Sequence, residues 1–225
     1  MCGRFALFSE PEELAAYYQA ELGEKISLRY NIAPTQSAVA LRHREGGKRA
    51  LSLLHWGLVP SWAKDAAMAS RLINARVETA AEKPSFRAAW KKRRCIIPAS
   101  GFYEWKKTPE NKQPYFISLA GGRPLSFAGL WESRAGDDGA FFESCSILTT
   151  SANADMANYH ERMPVFLEPW QFDRWLDLGM QDPVKVMELI QPFPPGRLKF
   201  LPVSTHVNKP ANDDAECVRP LNGGI

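Results

Sequence analysis

Apolar and polar residues alternate with a period of two along several short stretches of this chain, and follow a helical period along a few others. Short, largely apolar stretches predict strands at 38–42 and 49–56, separated by Gly46-Gly47 as in a hairpin. Further strands are expected at 95–98 and 101–106, either side of a bend, and at 115–119 and 125–131. The latter two follow the turn-rich stretches 108–114 and Gly121-Gly122. A long strand at 141–150 comes next, and a final one at 199–204 precedes a polar tail holding Asn208, Asn212, Asp213 and Asp214.

The helical stretches are short. Ser9 is placed to cap a helix with Pro11 and Glu12 in its first turn, Leu14, Tyr17 and Tyr18 facing inward, and Gly23 at its end. Phe86, Ala89 and Trp90 give 85–92 an apolar face, Ser151-Ala152-Asn153 can start a short helix to Tyr159, and Pro opens helices at 169–178 and 183–190. The segment 29–35 reads as an irregular loop, because Pro34 lacks a donor and disfavours helix at Ala33. Residues 56–62 form a second loop, carrying Trp56 and Trp62. Neither an internal repeat nor a flexible linker is visible. The pattern predicts one α+β domain over the whole chain, with a mainly antiparallel β-sheet core at about 2–214, peripheral helices and the polar tail.

Composition narrows the class. With 225 residues, 45% hydrophobic and 24% charged, the chain is an ordinary globular length and mixture, able to bury a substantial core. No apolar run approaches the roughly 18 residues that span a bilayer. Arg4, Glu10, Glu12 and Glu13 interrupt any secretory h-region, so an intracellular location is expected, cytoplasmic and nucleoid-associated in a bacterium. Cys2, Cys95, Cys145 and Cys217 show no CxxC spacing, which argues against a zinc site or a disulfide framework; in a reducing compartment they stay thiols. The net charge of +3 is too small to mark a nucleic-acid binder. Its distribution is uneven: Lys91-Lys92-Arg93-Arg94 form a run, and Arg71 and Arg76 bracket Asn74. The run is either a solvated helix end or a surface that tracks phosphates.

Candidate chemistry begins at Cys2. Trimming of Met1 would leave a free α-amine and a thiol on adjacent carbons, with ordinary pKa values of about 8 and 8.5. Such a 1,2-aminothiol condenses with an aldehyde to an imine, and its sulfur then closes a thiazolidine ring. The plainer reading is an unused cysteine. Asn74, between apolar residues and two arginines, either bonds the backbone of a turn or offers its amide to a substrate. Glu104 lies in Gly101-Phe102-Tyr103-Glu104-Trp105 and shares a strand face with Phe102. Inward, its carboxylate is paired or has a raised pKa suited to proton transfer; outward, it is a solvated edge residue beside Lys106. His160 is either a hydrogen-bonded structural residue or a proton donor near neutrality. His43, His55 and His206 lack metal-ligand spacing, and the chain contains neither a P-loop nor a GxGxxG motif.

The ordered set Cys2-Gly3-Arg4-Phe5, Arg29-Tyr30-Asn31-Ile32-Ala33-Pro34, Trp56-Gly57-Leu58-Val59-Pro60, Asn74-Ala75-Arg76-Val77-Glu78-Thr79, Gly101-Phe102-Tyr103-Glu104-Trp105, His160-Glu161-Arg162-Met163-Pro164 and Val203-Ser204-Thr205-His206-Val207-Asn208 closely resembles the SRAP (SOS-response-associated peptidase) family. The resemblance runs from Cys2 to about Asp214. It implies a sensor and shield of abasic sites in single-stranded DNA, in which Cys2, freed of Met1 by self-processing, forms a thiazolidine crosslink with the ring-opened sugar aldehyde. It further implies a sugar-contacting role for Asn74, proton shuttling and crosslink reversal for Glu104, ring opening and imine chemistry for His160, and strand cleavage (AP-lyase activity) as a side reaction. By the same resemblance, Arg4, Arg76 and Arg162 contact phosphates, and Pro34 and Trp62 bend the strand or stack a base. The expected partner is single-stranded DNA with abasic sites, with no metal, no other cofactor, no membrane and a monomeric state. Two other classes compete: an N-terminal-nucleophile amidotransferase, and a single-strand DNA-binding module that forms no covalent bond.

Overall fold

The computed structural model describes residues 2–43, 47–63, 65–107, 109, 111–135 and 140–221. Gly46 of the expected hairpin turn and Thr108 of the expected turn-rich stretch lie outside the described residues, as does Met1. The strands, in chain order, are β1 (Phe5–Leu7), β2 (Glu21–Leu22), β3 (Arg29–Ile32), β4 (Ser37–His43), β5 (Arg49–Trp56), β6 (Asn74–Arg76), β7 (Arg94–Ala99), β8 (Gly101–Lys107), β9 (Lys112–Leu119), β10 (Leu125–Ala135), β11 (Phe141–Ser151), β12 (Arg162–Pro164) and β13 (Leu198–Pro202). The α-helices are α1 (Pro11–Tyr18), α2 (Val77–Ala80), α3 (Arg87–Lys92), α4 (Phe172–Leu176) and α5 (Pro183–Glu188). This is an α+β fold, with mainly antiparallel sheets and short helices around them.

One sheet runs β13-β9-β8-β1-β3; the other runs β12-β11-β10-β7-β4-β5-β2. In the second, β11 also pairs in parallel with β5, at Ser144↔His55 and Cys145↔Trp56. The pairings β11-β10-β7-β4-β5-β11 therefore close into a small barrel, which removes the edges an open sheet would present. Every residue of β7 is buried, as expected of a strand covered on both sides. The two sheets meet through aromatic side chains: Phe5 of β1 lies edge-on to Trp56 of β5 at 4.9 Å and to Phe127 of β10 at 6.0 Å.

Four local expectations are corrected. Helix α1 starts one residue later than a Ser9 cap allows, with Glu10 at the cap position and Ser9 beside Ser100 (Oγ–Oγ 3.3 Å). It ends before Gly23, where Gln19 takes a left-handed conformation (φ 50°). The expected loop 29–35 holds a true strand at its start, since β3 pairs antiparallel with β1. The polar tail is part of the packed domain. Asn31, fully buried in β3, donates through Nδ2 to the carbonyls of Val207, Lys209 and Asn212. Asp213 accepts from the backbone of Tyr30 (2.6 Å) and Asn31 (2.8 Å) and pairs with Arg29. Val203 bridges to Pro220, and Cys217 is fully buried.

The basic run 91–94 divides along its length. Lys91 and Lys92 are solvated at the end of α3, and Arg93 bonds Glu132 at 2.6 Å. Arg94 points into the core, donating to the carbonyls of Trp90 and Trp175 (2.9 and 2.7 Å) with its guanidinium over the Trp175 ring. Its burial is tolerated because those donors are satisfied.

Candidate active site and DNA-facing surface

Strand register brings the amino terminus to Glu104. Phe5 opposes Phe102, and the Tyr103 N–H donates to the Arg4 carbonyl at 2.9 Å. Because β1 and β8 run antiparallel, continuing that register outward sets Cys2 against the segment that follows Tyr103. Cys2 is fully buried. Desolvation, and then the nearby Glu104 carboxylate, push its thiol well above the ordinary range. At neutral pH the sulfur is therefore held as a thiol.

Glu104 faces inward on the same side as Phe102, as strand alternation requires. Burial raises its carboxyl pKa, opposed by the positive charge of the chain's amino terminus and by His160. Asn74 arrives from another element: β6 pairs in parallel with β11 at Ile147↔Asn74. Its Nδ2 donates to the Cys2 carbonyl at 2.8 Å, while its buried Oδ1 has no hydrogen-bond partner among the described residues. His160 lies two residues before the start of β12, which pairs with the same strand β11. Its Nδ1 accepts from the Arg162 N–H at 2.9 Å, which places the proton of the neutral ring on Nε2. Glu104 and His160 line one groove of about 760 Å³, with Trp105, Lys106, Lys112 and Tyr159.

Cys2, Asn74, Glu104 and His160 thus converge, although they come from separated parts of the sequence. The cationic and aromatic candidates are more dispersed. Arg4 is half-buried, donating to Asn31 Oδ1 (2.8 Å) and the Val207 carbonyl (2.9 Å), with its guanidinium 5.9 Å from the Trp105 ring. Arg76 is exposed at the end of β6. Arg162 is largely enclosed, with both terminal nitrogens on Glu78 at 2.7 and 2.8 Å and one also on the Thr149 carbonyl at 2.6 Å. Pro34 leads a turn whose Thr35 N–H donates to the Trp56 carbonyl, so it sits against the start of the 57–62 loop. Trp62 stands 59% exposed on that loop. Gly57 opens the loop with φ 134°, and a Cβ there would lie 2.5 Å from the Ala69 carbonyl oxygen; both exclude a side chain.

Sequence comparison decides the family. The profile described as "SOS response associated peptidase (SRAP)" matches residues 1–210. The chain belongs to the SRAP family. Among its relatives, "Abasic site processing protein YoqW" of Bacillus subtilis (strain 168) is 39% identical over 222 residues, covering 97% of this chain and 99% of that protein. "Abasic site processing protein YedK" of Escherichia coli (strain K12) is 31% identical over 231 residues, covering 98% of this chain and all of its own length. An X-ray structure of a Bacteroides thetaiotaomicron protein superposes with a TM-score of 0.88 over 98% of this chain and 100% of that one; at 24% identity it shows the shared fold.

In this SRAP chain three residues near the site escaped motif reasoning about roles. Asn31 and Asp213 fix the strand behind Arg4, and Glu78 holds Arg162. Asn31 stands out in the sequence as a polar residue between Tyr30 and Ile32, whereas Glu78, between Val77 and Thr79, carries no such signal. Asp213 carries no local signal, because its partners are some 180 residues away.

One group of potential metal ligands forms despite lacking ligand spacing in the sequence. His206, Asp214 and Cys217 place one potential ligand atom each within 4.8 Å of one another. Their hydrogen bonds give the SRAP chain another use for them. Asn212 Nδ2 meets His206 Nδ1 at 3.1 Å while also donating to the His206 carbonyl, so the ring proton sits on Nε2 and points at Asp214 (3.1 Å). A metal on Nε2 would displace that proton and put two donors face to face at Nδ1. The donor set fits a clasp for the 205–218 segment better than a cation.

Proposed function

We propose that this SRAP chain processes abasic sites in single-stranded DNA by joining Cys2 covalently to the opened sugar. Hydrolysis of the Met1–Cys2 amide consumes one water and frees the α-amine. The amine adds to the C1′ aldehyde, and loss of water gives an imine. The Cys2 S–H then adds across the C=N bond: sulfur bonds carbon, and the proton passes to nitrogen, closing a thiazolidine. All steps are redox-neutral; crosslinking releases one water, which balances the one consumed in freeing the amine.

The observation that carries this reading is the meeting of Cys2, Asn74, Glu104 and His160 at one site. A carboxyl whose pKa is moved up towards neutrality suits Glu104 to protonate the departing hydroxyl and to receive the thiol proton, which Cys2 does not give up to water at neutral pH. The unused Asn74 Oδ1 is available to a sugar hydroxyl. The Nε2–H of His160 is assigned to the ring oxygen during opening. Reversal runs the same steps backwards, and β-elimination from the imine accounts for strand cleavage. Arg76 and Arg162 are assigned to phosphates, Arg4 to holding the amino-terminal strand beside them, and Pro34 and Trp62 to bending and stacking the strand. The protein is proposed to act as a monomer without metal or other cofactor.

Intact-mass spectrometry after incubation with an abasic single-stranded oligonucleotide tests the scheme. The expected product has lost Met1 and gained the oligonucleotide mass less one water. Cys2→Ala is expected to give no adduct while retaining DNA affinity within about twofold, because phosphate contacts lie elsewhere. An adduct formed by the alanine variant, or by a chain still carrying Met1, overturns the mechanism. Salt-sensitive binding without any adduct would favour the non-covalent module, and release of ammonia from glutamine would favour an amidotransferase.

A further inference from the structure

Glu78 sits between two arginines that the proposed function assigns to phosphate. Its carboxylate is bidentate on Arg162, and the Arg76 charge reinforces that bond in holding its carboxyl below the usual range. The two partners differ in freedom: the Arg162 side chain is 11% exposed, the Glu78 side chain 46%. Arg162 Nη2 is occupied twice, by Glu78 and by the Thr149 carbonyl, and Nε is buried with no partner among the described residues. The outward, two-pronged face of the guanidinium, which would meet a phosphate, is the face Glu78 already fills.

We infer that Glu78 is a built-in occupant of the phosphate seat at Arg162, and that a DNA strand engages this arginine by exchanging phosphate oxygens for the Glu78 carboxylate. The inference rests on the proposed function, which supplies the phosphate. The more exposed partner is the one that leaves, swinging from the first turn of α2 while Thr149 keeps the arginine in place. The exchange makes Glu78 a specificity determinant. An isolated anion competes poorly with a carboxylate tethered beside its arginine, whereas a strand also held elsewhere along the groove competes well. Exchange also keeps the cation neutralised when no strand is present, so a largely enclosed charge is never left unpaired.

The test is fluorescence anisotropy of a lesion-free single-stranded oligonucleotide with four full-length proteins: wild type, E78Q, R162Q and E78Q/R162Q. E78Q is expected to bind roughly fivefold more tightly, the scale set by releasing one partly exposed ion pair. R162Q is expected to bind more weakly, and the double variant to match R162Q, because the gain acts through Arg162. An E78Q affinity no better than wild type overturns the inference, as does a gain that persists in the R162Q background, which would reflect general charge removal. An R162Q protein that binds like wild type removes the phosphate contact itself, a failure of the proposed function that leaves Cys2 chemistry to its own test. Should thermal melts show E78Q unfolded, E78D takes its place: its shorter reach loosens the bidentate bond, so tighter binding is expected and unchanged affinity overturns the idea.

Discussion

At the scale of single residues, Glu104 holds an ionisable side chain in surroundings that disfavour its charge. A carboxyl that is 7% exposed has its ionised form penalised by desolvation, and its folded-state pKa is raised. The unfolded chain therefore releases this proton at a lower pH than the folded one. Stability from this group is fully present below the ordinary carboxylate value and declines as pH climbs through the raised one. Glu104→Gln removes that dependence. It is expected to be more stable than wild type at pH 7.5 by about 1 kcal/mol, with the difference shrinking towards pH 4. Urea midpoints at the two pH values check this; an equal difference at both would assign Glu104 no pH-linked cost. Crosslink formation by the same variant is expected to slow at least tenfold.

At the scale of elements, the strand β3 depends on a residue far along the chain. Asp213 satisfies the N–H groups of Tyr30 and Asn31 and pairs with Arg29, so Asp213→Ala leaves two backbone donors and a guanidinium without their acceptor. The expected loss is about 3 kcal/mol, read from the denaturant midpoint. Hydrogen exchange is expected to rise first at Tyr30 and Asn31. The same element shows where sequence reasoning stops. The barrel strands were legible as short runs that are continuously apolar or partly alternating, bounded by turn residues: 38–42, 49–56, 95–98, 125–131 and 141–150 all lie within observed strands. β3 was not, because Pro34 marks the turn after it and nothing local reveals its partner. β6 was hidden for a related reason: its parallel partner β11 lies some 70 residues on, and such pairing leaves no hairpin signature. Helix ends also went astray, since a left-handed Gln19 closes α1 where the nearest glycine was expected to do so.

For the whole molecule, the site was legible as four residue types in four motifs, but their convergence was not, because β11 does the gathering. It pairs with β6 behind Asn74 and with β12 behind His160. Nor did the family match, which ends at residue 210, mark where the folded unit stops. Truncation after Lys209 removes the Asn212 carbonyl, Asp213, buried Cys217 and the bridge from Val203 to Pro220. It is expected to lower the melting temperature by roughly 10 °C, the fall that about 3 kcal/mol produces in a chain of this size. A truncated protein that melts like the full chain would reduce the segment to decoration. Among the described residues, no helix is long and apolar enough to cross a membrane.

The contacts that Asn31 makes with 207–212 have a further consequence for synthesis. Arg4 bonds both Asn31 and Val207, so the opening strand, already paired with β3 and β8, is tied down further by the 207–212 turns. A nascent polypeptide still threaded through the ribosome has no such turns to offer. The amino-terminal strand is thus made first, yet gains these tethers only after residues 207–212 have emerged.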